Sequence, residues 1–544
     1  MPLNRLIYFP LILLILTIAF IGCASIQQPT GGPRDTLAPK VLKETPANQT
    51  RNFKAREINI TISEFFKLQN EFKEISISPA MEKLPTFKAK KNILNIKFDD
   101  TLQKNTTYTF NFGNAIVDFN EGNKLKNYSY VFSTGPVIDS LNISGVVKDR
   151  LKNAPVLDAT VFIIPINQDT IFGKKRANIF TTTDSSGQYI LKNLRPDTYR
   201  IYALKEESGD RIYNSPKELI AFQKDSIVLS RDNALAVNLE LFQEEPDVLR
   251  MVDKKIEKDG KILITYNKGI AKPSAEIIDP QELNTGKIVE FSSKRDSLML
   301  WLPEMKFDSL KIAVKENGES IDTVKLTQGK KETYNRNLSI STNLVNNRLR
   351  PKTDLYLTFT GPSSTLDGAK IKVLEDSVPK RAQLIKDTTS TRRYLLRYPW
   401  RLNHKYELEV AEGGFTNTVG GKNKPFRENF TLDEDENYGN IVLDISTADS
   451  IKTSKAYVIE LLNKERVIIK SQPLLKAGKI TFSLLPVGAY NIRVTYDTNK
   501  NGKWDTGKVG QKIQPERTWT FDKELTIRAN WDLEEKITIP DFGD

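Results

Sequence analysis

The sequence predicts an all-β protein: antiparallel β-sandwiches in tandem, preceded by an apolar leader and a flexible stalk. Three observations predict it. From Pro39 onward, apolar residues alternate with polar ones in short runs, as in Ile58/Ile60/Ile62, Leu94/Ile96/Phe98, Tyr108/Phe110/Phe112 and Tyr128/Tyr130/Phe132. Period-two runs are the mark of half-buried strands. Pro, Gly, Asn and Asp stand between the runs, where turns need them. Finally, the chain repeats itself weakly at an offset of about 300 residues, a sign of duplicated modules.

Composition fits an exported body. At 544 residues, roughly three to five domains are expected. Cys23 is the only cysteine, so no internal disulfide can form and ordinary apolar cores must hold each domain. The net charge is +12, with both signs interspersed. A basic balance suits anionic glycans, lipopolysaccharide or nucleic acid, but it also arises from lysines on solvent faces and strand edges. No basic cluster interleaved with aromatics occurs, so nucleic acid is not an expected partner.

The N-terminus carries its own logic. Arg5 precedes an apolar run from Leu6 to Ile21, and small Gly22 stands before Cys23. Such an order is a secretory signal, and the run is short for a bilayer span, which needs about 20 apolar residues. Phe20-Ile21-Gly22-Cys23 resembles the lipobox of bacterial lipoproteins, with Phe20 where leucine is usual. The resemblance implies cleavage after residue 22 and a diacylglycerol thioether on Cys23. Acyl chains contribute about 0.8 kcal/mol per buried methylene, so two or three anchor a protein firmly. The other reading is a free cysteine in an uncleaved anchor helix. Residues 23–38 then form a stalk of Gln, Pro, Thr and Gly with nothing to bury. Surface-displayed lipoproteins often carry an acidic run after the cysteine. Ala24–Gln28 has none, which points to a Gram-negative outer membrane, facing the periplasm rather than displayed outside.

Residues 39–136 are read as the first sandwich. Pro39-Lys40-Val41, Ile62-Ser63-Glu64, Asn105-Thr106-Thr107-Tyr108, Gly122-Asn123 and Phe132-Ser133-Thr134-Gly135 resemble the bacterial Ig-like domain of S-layer type. Phe65-Phe66 replace the acid that commonly follows Ser-Glu there. Residues 140–245 form the second. Ile143–Val147, Thr182–Ile190 and Leu194–Tyr199 resemble the carboxypeptidase regulatory-like, or collagen-adhesin B-type, sandwich, which implies stalk or support modules without catalytic residues. Residues 248–328 show Ile262/Ile264/Tyr266 and Leu298/Leu300 alternation and make a third sandwich. The repeat supplies the rest. Gly187–Asn214 lies on Gly478–Asp505 without a gap, Asn105-x-x-Tyr108 recurs as Asn403-x-x-Tyr406, and Ile58/Ile60/Ile62 recurs as Leu355/Leu357/Phe359. A second Ig-like sandwich is therefore expected at 332–434 and a second regulatory-like one at 438–535. The expectation is five sandwiches in a row.

Chemistry is sparse. Asp497-x-Asn499-x-Asn501-Gly502-x-x-Asp505 resembles the start of an EF-hand calcium loop, with oxygen donors at alternate positions and a Gly for the turn. Lys508 stands where the bidentate Glu belongs. Any calcium bound by Asp497, Asn499, Asn501 and Asp505 is then weak and structural, and a metal-free Asx hairpin is the plainer reading of the same residues. Otherwise no cofactor is expected. Asp505-Thr506-Gly507 matches the aspartic-protease tripeptide but has no second copy. His404, the one histidine, sits in a turn sequence before a strand. No nucleophile elbow or phosphate loop occurs. Among aromatics, Tyr213 and Trp504 lie in polar turns at matching repeat positions and are the candidate sugar-stacking pair. Trp301 and Trp400 adjoin strands and read as core. The chain is thus expected to be no enzyme but an envelope scaffold or protein-interaction module. A polysaccharide-binding lipoprotein is the alternative, and a hydrolase with scattered carboxylates a more remote one. Its partners are the bilayer through acylated Cys23 and envelope proteins or polysaccharide.

Overall fold

A computed structural model describes residues 35–542 apart from 80, 82, 100, 231–234, 330–331, 419 and 449–455. The leader, Cys23 and nearly all of the stalk lie outside the described residues. The regular structure of the described residues is almost all strand, 51% against 4% helix, as the alternation requires.

The first core is built from two facing sheets. One runs Val41–Thr45, Glu57–Ile62, Ile93–Lys97, Thr86–Lys90 in spatial order, and the other Ser76–Ser78, Thr107–Asn111, Ser129–Ser133. Ile58, Ile60, Ile62, Leu94 and Ile96 point inward from the first sheet and are fully buried. They meet Tyr108, Phe110, Tyr130 and Phe132 from the second. Each side chain so buried contributes about 1.5–3 kcal/mol. That is why the period-two residues of the sequence are the core residues of the fold.

Residues 251–327 repeat this plan. Met251–Ile256, Ile262–Tyr266, Ser297–Trp301 and Ile288–Phe291 form one sheet, faced by Pro273–Asp279, Ser309–Glu316 and Glu319–Thr327. Residues 340–432 repeat it again, with Ile340–Thr342, Leu355–Phe359, Arg393–Arg397 and Gln383–Lys386 in the same order. The sequence suggested two sandwiches of this kind, and the fold has three. The sequence marked 248–328 as a sandwich without naming its kind, because its core is mostly aliphatic where the others carry more of the Tyr and Phe that align.

The second and fifth sandwiches share their central strand pairings. Leu141–Asp149 pairs antiparallel with Gln188–Leu194 and parallel with Leu239–Gln243. Tyr438–Thr447 likewise pairs antiparallel with Gly478–Pro486 and parallel with Asp532–Ile539. Thr160–Pro165 lies between Ile179–Thr182 and Asp197–Lys205, as Ala456–Asn463 lies between Ile468–Leu474 and Gly488–Asp497. Even single hydrogen bonds recur. Tyr199 donates its hydroxyl to the Arg195 carbonyl (3.1 Å) and Tyr490 to that of Pro486 (2.8 Å). In the Ig-like pair, the Tyr108 hydroxyl accepts from Gln103 N (2.9 Å) and that of Tyr406 from Arg401 N (2.7 Å).

In space the sandwiches keep their order in sequence, but the last returns to the second. The third and fourth sandwiches join where Arg392 Nε and Nη2 donate to Glu290 (3.1 and 2.8 Å) and Arg336 donates to the Leu302 carbonyl (2.6 Å). The fourth meets the fifth where the Arg350 guanidinium donates to the Leu484 carbonyl and lies over Tyr438. The fifth then returns to the second. Arg493 donates to the Leu151 carbonyl (2.8 Å), Gln514 to that of Phe222 (2.7 Å), and Lys512 to the Tyr202 hydroxyl (2.6 Å). The row expected from the sequence is therefore bent into a closed ring of four sandwiches, with the first attached to the second.

Candidate functional site

The strand Gly488–Asp497 ends in the Asx loop. Buried Asp497 accepts from the backbone N–H of Asn501 (3.0 Å) and Gly502 (2.8 Å). Gly502 sits at φ +77°, which a side chain would strain. The amide oxygens of Asn499 and Asn501 accept from the backbone of Asn501 and Lys503, while both amide nitrogens donate to Asp505 Oδ2 at 2.5 Å. The four sequence candidates are thus brought together, knitted by their own hydrogen bonds. A third carboxylate joins them that the loop spacing did not reveal. Glu516 accepts from Thr498 N and Oγ1 (both 2.7 Å) and from Asp505 N (3.0 Å). It arrives from beyond the 3-10 turn Val509–Gln511, so no local motif marks it. Among the described residues, no group of three or more acidic, histidine or cysteine side chains is gathered to hold a metal ion. Oxygen donors for calcium would have to include the two asparagines.

What the loop does visibly is clasp its neighbour. Thr506 donates to the Gln243 carbonyl (2.5 Å), Lys508 pairs with Asp247, and the N–H of Val509 donates to Glu244. Thr506 of the protease-like tripeptide is thereby committed to a structural bond. The equivalent loop of the second sandwich clasps the first. There Glu206 accepts from Arg211 N (2.6 Å) and Asp210 from Asn214 Nδ2 (2.9 Å). Arg211, at the Gly502 position, pairs with Glu74 at 3.1 Å and stacks over Phe180 at 4.0 Å. The position that holds a turn glycine in one loop holds an interface arginine in the other.

Tyr213 and Trp504 do come together, but half-buried. Both pack on a cluster contributed by the second and fifth sandwiches: Phe162, Tyr202, Phe222 and Phe242 with Val509. Trp504 donates Nε1 to the Glu516 carbonyl (2.9 Å), and the Tyr213 hydroxyl donates to Glu244. The exposed stacking faces expected from the sequence are largely spent on this seam. Lys512 closes it, with its ammonium 4.9 Å from the Tyr202 ring centre and 5.4 Å from that of Phe172. A cation over an aromatic face, partly desolvated, contributes about 0.5–2 kcal/mol. Burial pushes the Lys512 ammonium below its ordinary value, partly offset by Asp169.

His404 lies in its turn with Nδ1 2.6 Å from Asp376. Trp301 is buried and Trp400 packs on the fourth core, as read from the sequence. A cleft of about 780 Å³ lies elsewhere, between the first and second sandwiches. Thr107, Thr109, Asn127, Thr181, Gln188 and Lys192 line it. Beside it, Asn111 donates to the Phe180 carbonyl (2.6 Å) and Asn127 bonds Thr182, so asparagines cover the outer edge of the Ile179–Thr182 strand. Covering an edge this way discourages stray strand pairing.

Residues 35–134 match the family described as bacterial Ig-like domain. A search of the curated proteins finds no match. Among solved structures, the major pilin subunit of Bacillus cereus is 12% identical, covering 74% of this chain and 99% of its own, at a TM-score of 0.14. The TIE protein of Bacillus anthracis is 10% identical over 94% of this chain and 76% of its own, TM-score 0.14. An S-layer protein is 12% identical over 87% and 67%, TM-score 0.15. The family match falls on the first sandwich, whose geometry is that of an Ig-like domain.

Proposed function

We propose that the chain is a lipid-anchored scaffold of the bacterial cell envelope, held by an acylated Cys23 and acting through its surfaces rather than by catalysis. The observation that carries this reading is the position of the one cysteine, just after an apolar run and Gly22 and ahead of five sandwiches. Firm anchoring at one end suits a body whose modules are clasped to each other. The boundaries of that body belong to the proposal: leader 1–22, stalk 23–38, and sandwiches at 39–136, 140–245, 248–328, 332–434 and 438–535. So does its place in the outer membrane, facing the periplasm. Mass spectrometry of the native protein tests it. An N-terminal peptide beginning at Cys23 with acyl mass is expected, and Cys23→Ala should leave the precursor uncleaved and without acyl chains. An unmodified thiol in the mature protein would overturn the reading.

Polysaccharide binding is the second reading, and the cleft favours it. Hydroxyl and amide side chains such as Thr107, Thr109, Asn127 and Thr181 suit a neutral polyhydroxylated ligand. Lys192→Ala and Thr109→Val should then weaken retention on envelope glycan without changing thermal stability. Unchanged retention counts against it.

A further inference from the structure

The first sandwich carries an apolar tip at the end where the tether emerges. Phe66 pairs with Asp118 across a short ladder, which sets Phe65 opposite Phe119. The N–H of Phe119 donates to the Phe65 carbonyl at 3.0 Å. Phe66 and Asp118 face inward and are buried, so the alternation turns Phe65 and Phe119 outward together, 62% and 60% exposed. Leu37, 68% exposed, stands on the incoming segment. Lys67 lies with its ammonium 5.7 Å from the Phe119 ring centre, a long stem beside an aromatic face.

The tip is rigid. Asp118, buried, accepts from the backbone N–H of Glu121 (2.6 Å), Gly122 (3.1 Å) and Asn123 (2.7 Å), fixing the turn that begins at Phe119. Those donors hold its carboxyl below the ordinary aspartate range against the opposing effect of burial. The same turn receives the incoming chain, since Asn123 Nδ2 donates to the Asp35 carbonyl at 2.9 Å. Phe119 and the root of the tether are therefore neighbours.

We infer that Phe65 and Phe119, with Leu37 and the Lys67 stem, insert into the headgroup region of the membrane that carries the protein. The occupant is a lipid surface because of where the tether ends. From Cys23 to Asp35 the chain spans at most about 40 Å. That span holds the tip within reach of the bilayer at high local concentration, so even weak apolar insertion is occupied much of the time. The inference rests on the lipid-anchor reading. It adds that the first sandwich lies down on the membrane instead of standing off it, and that the stalk sets reach rather than height.

The test uses the full lipidated protein in phosphatidylcholine vesicles at physiological salt, where the basic surface gains little from lipid charge. In Phe119→Trp, the added tryptophan emission should be blue-shifted and quenched by lipids brominated in the acyl chain, measured against the parent protein. Phe65→Ser/Phe119→Ser should lower membrane contact about a hundredfold, each exchange about tenfold, as expected for losing one buried aromatic. Both sites are exposed, so thermal melts should stay unchanged. Solvent-like emission from a protein whose Cys23 carries acyl mass overturns this inference and leaves the anchor reading intact. A bare Cys23 overturns the anchor reading by itself; flotation of the same variants with vesicles then decides the tip, with equal flotation of parent and double variant sinking it. A photocrosslinker at position 119 that reaches a protein instead of lipid also overturns it.

Discussion

Glu375 shows how one buried carboxylate organises its sandwich. It is 3% exposed and accepts from Arg401 Nε and Nη2 (3.1 and 2.6 Å), Tyr406 (2.9 Å) and Tyr398 (3.2 Å). The Arg401 guanidinium beside it holds its carboxyl down at about 2, from an ordinary 4.5. A depressed carboxylate stabilises the fold fully above the unfolded value and loses that contribution as pH falls toward the folded one. The fourth sandwich should therefore lose stability between about pH 4.5 and pH 2, with melts of Glu375→Gln much flatter over that window. Equal slopes in both proteins would show that Glu375 is not the acid-sensitive group. Nothing in the sequence singled out this residue from the other acids, because its partners Tyr398 and Arg401 come from a neighbouring turn and Tyr406 from the next strand.

At the scale of elements, alternation made the strands readable and left their partners unreadable. Ile58/Ile60/Ile62 and Leu355/Leu357/Phe359 announced themselves because one face of each strand is fully buried. The Asx loop was legible for a similar reason, since Asp497, Asn499, Asn501 and Gly502 each meet a local backbone demand. Glu516 was not, for it reaches the loop through a turn whose sequence carries no signature. Whether the loop also takes calcium is a question of free energy. With a millimolar dissociation constant, 10 mM calcium would stabilise the fifth sandwich by about 1.4 kcal/mol. Its melting temperature should then rise by several degrees, a rise that Asp505→Asn removes and magnesium does not reproduce. If calcium leaves the melt where it was, the hydrogen bonds among Asn499, Asn501 and Asp505 are the whole of the loop's chemistry.

At the scale of the molecule, duplication explains why the ring can close. The second and fifth sandwiches share a topology, and in each the loop after the long strand, Asp197–Lys205 or Gly488–Asp497, reaches for a neighbour: Arg211 for Glu74, and Val509 and Lys508 for Glu244 and Asp247. The first of these joins residues 137 positions apart, and the contacts of Val509 and Lys508 join residues 265 and 261 apart, far beyond any pattern a local reading detects. At the apolar centre of the seam between the second and fifth sandwiches lie one lysine among rings and one buried valine. The polar contacts of Arg493, Gln514, Thr506 and Lys508 flank them, so the seam should be weakened selectively at that centre. Val509→Asp with Lys512→Ala places an unpaired charge in the apolar cluster and removes the cation from Tyr202 and Phe172. Each sandwich keeps its own core, so circular dichroism should hardly change. Small-angle X-ray scattering should instead show a larger radius of gyration and maximum dimension, and the fifth sandwich should melt apart from the second. Should the variant scatter like the parent, the contacts of the third, fourth and fifth sandwiches alone set the curvature. The clasp between Val509 and Glu244 would then only decorate a ring that the other joints already close.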